Sequence, residues 1–185
     1  FFYTEEDVSY RADALELNIS MNPLDSSNAE KEETILRIIK KVLKTIKIPV
    51  AVKISDRYSN LSGTIQRLSK SGISGLVIFN RFYSPDIDIY NCRLTQGRMY
   101  SGDTDYFRPL RWIALLSDKI NCSLAASSGV HDANTAIKMM LAGANAVQLV
   151  STLYINGKDC LIQMLHELEE WMTDKGFFST DQFIG

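Results

Sequence analysis

The sequence is poor in the residues that build metal sites and disulfide scaffolds. Among 185 residues there are only three cysteines and two histidines, with no CxxC pair and no zinc-site spacing. No iron–sulfur ligand pattern is present either. A sparse, odd cysteine count is typical of a reducing compartment rather than of a disulfide framework. We therefore expect neither a metal site nor a fold held together by disulfide bonds.

Membrane-spanning runs and an excess of basic charge are also missing. No apolar run approaches the roughly 20 residues needed to cross a bilayer, and no signal peptide opens the chain. The formal net charge is -2, without the basic excess that is typical of nucleic-acid-binding domains. We therefore expect a cytoplasmic protein with no membrane span and no nucleic-acid partner. The chain begins at Phe1 rather than methionine, which suggests that the natural sequence is longer.

Short apolar segments alternate with segments of helical spacing along the chain. The apolar segments predict strands over residues 14–19, 50–54, 75–80, 123–126 and 146–150. Helices are predicted between them, one starting at a capping box over 27–30, one stopping near Gly72, and two over 109–119 and 132–142. The closing helix carries a stripe that we interpret as core: Leu161, Met164, Leu165, Leu168 and Met172.

This alternation predicts an α/β fold with a parallel sheet covered by helices. No glycine-rich dinucleotide motif follows any strand, and small residues follow the last two strands, where barrels commonly hold a phosphate. We therefore predict a TIM (β/α)8 barrel, represented by about five C-terminal β/α units; an open doubly wound sheet is the alternative. Residues 1–185 are interpreted as the C-terminal part of a single barrel domain whose N-terminal strands are missing from the chain.

Polar side chains stand at the carboxyl ends of the first three predicted strands, where barrels place their chemistry. Lys53 has apolar neighbours, Val52 and Ile54, that point the opposite way, which favours the barrel mouth and an anion over solvent. Asn80 ends the third strand and is followed by a long loop, residues 82–106, of the kind that is usually functional or mobile. Asn18, which ends the first strand, either binds a ligand or is a satisfied buried amide.

Small residues follow the last two strands. Ser128 and Gly129 come after the fourth strand, and the fifth strand ends at Val150 and runs into Ser151. Small side chains let backbone N–H groups approach a phosphate closely, and the helix that follows adds its positive end. The two turns together predict a phosphate site.

Several strings across the chain are similar to those of the dihydroorotate dehydrogenase family, most closely its dihydroorotate dehydrogenase-like subgroup. They are ADALELNIS (12–20), IPVAVKIS (48–55), GLVIFNRFYSPDIDI (75–89), PLRWIALL (109–116) and SLAASSGVHDANTAIKMMLAGANAVQLVSTL (123–153). The resemblance implies an FMN-binding barrel that oxidises dihydroorotate to orotate in pyrimidine biosynthesis by hydride transfer to flavin N5. Family members often dimerise, which suggests a homodimer; the electron acceptor is not indicated.

The resemblance also assigns roles by position. Lys53 stands where a strand lysine contacts the flavin and supports catalysis, and Asn18 and Asn80 stand where asparagines hold the substrate. The FMN phosphate is implied to lie against the backbone amides of four residues: Ser128, Gly129, Val150 and Ser151. The family usually has two glycines at the first pair, so Ser128 is expected to be tolerated only if its φ is not positive.

Met21 stands where the family has its catalytic base, a cysteine or serine. A thioether carries no exchangeable proton, so Met21 cannot be a general base. The adjacent Ser20 is the candidate base if the loop is shifted by one residue. The alternatives are a flavin-binding relative with altered or lost dehydrogenase activity, a non-redox barrel enzyme such as a lyase or isomerase that uses the phosphate site, and a binding or oligomerisation module.

Overall fold

Seven strands are present in the computed structural model, which describes residues 12–19, 28–82 and 84–185. Five of them form one parallel sheet in the order β1-β2-β3-β6-β7, and β4 and β5 form a separate antiparallel hairpin. The bounds in chain order are β1 Leu15–Asn18, β2 Val50–Ile54, β3 Gly75–Ile78, β4 Pro85–Asp88, β5 Arg93–Gln96, β6 Ser123–Ser127 and β7 Ala146–Gln148. All five predicted strands are confirmed, and β2 has the predicted bounds.

Helices follow the strands of the main sheet, as parallel connections require. They are α1 Asn28–Thr45, α2 Leu61–Ser69, α3 Phe107–Leu116, α4 Ala133–Leu141, α5 Ser151–Asn156 and α6 Asp159–Lys175, with short 3-10 turns at Ser117–Lys119 and Thr180–Gln182. Asn60 caps α2 and Asp132 caps α4, each accepting a backbone N–H three residues on. Gly72 has the positive φ, +98°, that its predicted place after α2 calls for. Ser27, the predicted cap of α1, lies outside the described residues.

The two faces of the main sheet differ in composition. In the three central strands, β2, β3 and β6, residues such as Val52 and Ile54 are buried beneath the helices in one continuous core. The opposite, concave face carries small residues toward the amino ends of the strands and polar residues toward their carboxyl ends. The small residues border an apolar hollow of about 240 Å³. One face of the sheet is therefore core, and the other has a polar rim at the carboxyl ends.

A contact between the two outermost strands shows that the sheet is strongly curled. Nε2 of Gln148 on β7 donates to Oε2 of Glu16 on β1 over 2.6 Å. In a flat sheet these strands would be about 19 Å apart, because adjacent strands are spaced about 4.8 Å. Side chains of this length meet only when the sheet curves toward closure, as barrel strands do. The curl favours the barrel prediction over an open doubly wound sheet.

Two details differ from the sequence predictions. The connection over residues 82–106 contains the β4–β5 hairpin, whose strand residues are nearly all exposed. In α6, Met164 is buried as predicted, but Leu161 and Leu165 are 40% and 52% exposed, so the predicted core stripe is wrong at these two residues. The reason is that α6 packs against α4 and α5, and no described element covers these two side chains. Among the described residues, no helix is both long and apolar enough to span a bilayer.

Candidate functional site

One cleft at the carboxyl ends of the strands collects most of the predicted site residues. It has a volume of about 280 Å³. Lys53 enters it from β2, and Asn80 from the end of β3. The two small-residue turns complete the lining with Ser128, Gly129, Val150 and Ser151. Parallel strands end at the same edge of a sheet, so residues far apart in sequence meet here.

Lys53 is half-buried in the cleft and points away from the helices, as the sequence predicts. Its Nζ donates to Oε1 of Gln148 over 2.7 Å. Burial lowers the pKa of Lys53, because removal from water disfavours the charged ammonium, and the nearby Glu16 carboxylate opposes that shift. Burial thus favours the neutral amine of Lys53, and the carboxylate of Glu16 on β1 favours the ammonium.

The two asparagines predicted for the substrate lie together. Nδ2 of Asn80 donates to Oδ1 of Asn18 over 2.9 Å and to the carbonyl oxygen of Ile19 over 3.2 Å. Asn18 also pairs with Lys53 in the register of β1 and β2. The bond from Asn80 satisfies the amide oxygen of Asn18, but Asn18 is exposed, so it is not the buried amide of the alternative interpretation. The bond also places both amides beside the lysine.

The turn after β6 has an unusual backbone. Ser128 has φ +86° and Gly129 has φ +74°. The expectation that Ser128 avoids a positive φ is therefore wrong. The turn has to reverse the chain toward α4 immediately after a buried strand, and two successive left-handed residues do so. A Cβ at Gly129 would collide with the backbone of Tyr106 and lie 2.6 Å from the carbonyl carbon of Asp105. Glycine is therefore required at residue 129.

The turn after β7 is linked to the loop that precedes α3. Val150 is 61% exposed, and the hydroxyl of Ser151 accepts the backbone N–H of Ser101 over 3.0 Å. The hydroxyl of Ser101 lies 3.0 Å from Nε2 of His131, which follows the turn at Gly129. These bonds join both small-residue turns and the long loop into one wall of the cleft.

Arg81 organises the base of the long loop. Its guanidinium donates to the carbonyl oxygens of Met99, over 2.7 Å, and Arg98, over 2.9 Å, and lies 3.4 Å from the carboxylate of Asp105. Three fixed acceptors suit the forked geometry of arginine. A second cleft of about 550 Å³ continues from this point between the hairpin and α3.

The candidate base lies outside the described residues, as do its neighbours. Ser20 and Met21 belong to the segment that follows Ile19, so the predicted role of Ser20 stays a prediction. Within the described ranges, no group of three or more histidine, cysteine, aspartate or glutamate side chains is arranged to hold a metal ion.

The comparisons with known proteins bear on this arrangement. The family model for dihydroorotate dehydrogenase matches residues 2–172. The chain belongs to the dihydroorotate dehydrogenase family. The barrel of this family accounts for the curled parallel sheet, which represents five β/α units of a TIM barrel.

Curated relatives of this family are similar at low identity. The catalytic subunit of dihydroorotate dehydrogenase B (NAD(+)) from Pyrococcus furiosus is 25% identical over 194 aligned residues, which cover 100% of this chain and 64% of that protein. The same subunit from Thermoplasma volcanium is 25% identical over 95% of this chain and 60% of that protein. The Methanothermobacter thermautotrophicus subunit is 23% identical over 94% and 60%. The chain thus spans less than two thirds of the length of these relatives.

Sequence reasoning missed several residues of the cleft. Gln148 contacts both Glu16 and Lys53. Arg81, Met99 and Ser101 also line the cleft. One signal was available: Glu16 and Gln148 are polar residues that interrupt apolar strands at alternate positions. The partner of each was not visible in the sequence, because it depends on how far the sheet curls.

Proposed function

We propose that this chain contributes the phosphate turns, the flavin-contacting lysine and the substrate asparagines of an FMN-dependent dihydroorotate dehydrogenase. The enzyme would oxidise dihydroorotate to orotate in pyrimidine biosynthesis. One observation carries the proposal: Lys53, Asn80 and the Ser128–Gly129 turn line a single cleft at the carboxyl ends of the strands. Membership of the family supports the same reaction.

The cleft has the chemistry that FMN requires. Its small-residue turns suit a phosphate, since Gly129 and its neighbours leave backbone N–H groups accessible to an anion. Lys53 supplies a cation where negative charge would develop on the reduced ring. The Glu16 carboxylate counteracts the effect of burial on the pKa of Lys53 and so favours the charged form. FMN, when bound, accepts a hydride at N5.

The amides of Asn18 and Asn80 suit a planar ring with carbonyl and N–H groups. Each amide has both donors and acceptors, and the bond between them orients the pair. A substrate held this way would have a fixed position relative to Lys53, which is the contribution of positioning to catalysis.

The names of the relatives direct the search for the electron acceptor. Those proteins are catalytic subunits of an NAD(+) enzyme. NAD(+), reached through a partner subunit, is therefore the first acceptor that we propose to test.

A flavin spectrum tests the proposal. The full chain is mixed with FMN, separated from free FMN by gel filtration, and scanned. We expect the flavin absorption band to stay with the protein and to bleach anaerobically on addition of dihydroorotate. A colourless protein after gel filtration would contradict flavin binding. A retained band that dihydroorotate does not bleach would support instead a flavin-binding relative without dehydrogenase activity.

The candidate base is tested in the same assay. Ser20→Ala is expected to slow bleaching by roughly 10²- to 10⁴-fold, the usual effect of losing a general base. Met21→Ser is the companion variant, because it returns a hydroxyl to the position at which the family has its base. If Ser20→Ala bleaches at the parent rate, Ser20 is not the base.

A further inference from the structure

Three side chains form a continuous hydrogen-bonded chain across the concave face of the sheet. Oε2 of Glu16 accepts from Nε2 of Gln148, and Oε1 of Gln148 accepts from Nζ of Lys53. The two distances are 2.6 Å and 2.7 Å. The amide of Gln148 therefore lies between a carboxylate and an ammonium that come from two other strands, β1 and β2.

The two charges fix the orientation of the Gln148 amide. An amide has an acceptor oxygen on one side and an NH₂ donor on the other. Rotation by 180° would turn the NH₂ toward the ammonium and the oxygen toward the carboxylate, and both contacts would then be repulsive. Hydrogen bonds to charged partners are also stronger than neutral ones. Gln148 thus has one favoured orientation, and its oxygen occupies one defined place beside Lys53.

We propose that Gln148, oriented by Glu16, is a positioning residue that holds Nζ of Lys53 in place at the mouth of the cleft. An ammonium has three N–H donors, and Gln148 takes one of them, which leaves two for a ligand. Among the described residues, the other charged side chain that lines this cleft is Arg81, which Asp105 and two carbonyl oxygens hold. The inference rests on the proposed function only in taking FMN as the ligand.

Two substitutions at Gln148 should act on Lys53 in opposite directions. Gln148→Leu removes the acceptor and adds apolar surface, so the neutral amine is favoured. Gln148→Glu places a second carboxylate beside the ammonium, so the charged form is favoured. Gln148→Leu is the decisive variant, because a residue that merely filled space could be replaced by leucine without changing the reactivity of Lys53.

The test measures how fast Lys53 is acetylated by acetic anhydride in the full chain without FMN, with mass spectrometry of the Lys53 peptide as the readout. Only the neutral amine reacts, so the rate at one mildly alkaline pH reports its fraction. We expect Gln148→Leu to raise the rate and Gln148→Glu to lower it, each by roughly tenfold. Gln163→Leu is the matched control, because Gln163 also donates to a glutamate, Glu167, but lies on the surface of α6.

Circular dichroism on each variant shows that it is folded, and the reactivity of the exposed Lys40 corrects for general changes. Unchanged Lys53 rates, or rates that move in the same direction in both variants, would overturn the proposal. The outcome does not depend on the flavin: opposite rate changes in a chain that fails to retain FMN would support the positioning role and reject the proposed function. Retained FMN together with unchanged Lys53 rates would support the proposed function and reject the positioning role of Gln148.

Discussion

Ser128 is held at a backbone conformation that glycine adopts more readily. Its φ of +86° lies in the left-handed region, where a Cβ costs about 1–2 kcal/mol. Replacement by glycine removes that cost but adds about 0.5–1 kcal/mol of backbone entropy. We therefore predict that Ser128→Gly raises the free energy of unfolding by about 0.5–1 kcal/mol, measured by urea denaturation.

The neighbouring serine provides the control. Ser127 is buried in β6 with extended backbone, so Ser127→Gly should lower the free energy of unfolding by about 0.5–1 kcal/mol. Equal effects at the two positions would show that Ser128 is not strained.

Sequence reasoning at the residue scale succeeded where alternation alone decides the direction of a side chain. Lys53 lies between two buried residues of β2, so its place on the concave face follows from strand period. The backbone of Ser128 could not be predicted in this way, because serine is compatible with most turns. The contact between Gln148 and Glu16 could not be predicted either, because Glu16 lies on β1, four positions away from β7 in the sheet.

At the scale of elements, a buried polar group lies beside the interface between α1 and α2. The hydroxyl of Thr64 donates to Oε2 of Glu32 over 3.0 Å. Nearby, the hydroxyl of Tyr58 is buried and, within the described ranges, has no hydrogen-bond partner. Burial, and then the Glu32 carboxylate, raise the pKa of Tyr58 to about 12. Tyr58 is therefore a buried phenol that is costly to ionise.

The raised pKa of Tyr58 predicts that the free energy of unfolding falls at alkaline pH. In the unfolded chain Tyr58 ionises near its ordinary pKa of 10.0, whereas in the folded chain it keeps its proton up to about 12. Between these values the folded state holds one more proton, so the free energy of unfolding decreases as pH rises. Tyr58→Phe should weaken this decrease and, because it removes an unpaired buried hydroxyl, should not destabilise the protein at neutral pH.

Urea denaturation at neutral pH and at about pH 11 measures both effects. Tyr90→Phe is the control, since the side chain of Tyr90 is 91% exposed and its hydroxyl is in water in both states. An alkaline loss of stability that is the same in Tyr58→Phe and the parent chain would refute the assignment.

Helices and strands were predicted best where apolar residues recur at a regular spacing and are buried. The strands of the main sheet follow from apolar runs, and α2 follows from its helical spacing and the stop near Gly72. The β4–β5 hairpin was missed because its strand residues are nearly all exposed, so no burial pattern marks them. In α6, apolar side chains at Leu161 and Leu165 suggest a core that no described element provides.

At the scale of the whole molecule, the curl of the sheet brings the site together. The bond between Glu16 and Gln148 joins the first and last strands, and the same curvature turns Lys53 and both small-residue turns toward one cleft. The chain spans about 60–64% of the length of the relatives compared above. We propose that these five β/α units hold the flavin phosphate by themselves.

The most direct measurement is a titration of FMN fluorescence with two glycine variants. Gly129 and Gly157 both have a positive φ, +74° and +75°, which alanine rarely adopts, so alanine strains the backbone at both positions. A Cβ at Gly129 meets the backbone of residues 105–106, whereas a Cβ at Gly157 meets nothing within 4 Å. We predict that Gly129→Ala weakens FMN binding at least about tenfold, a loss of about 1.4 kcal/mol, and that Gly157→Ala leaves it nearly unchanged. Equal FMN affinities in the two variants, with both folded by circular dichroism, would contradict the account.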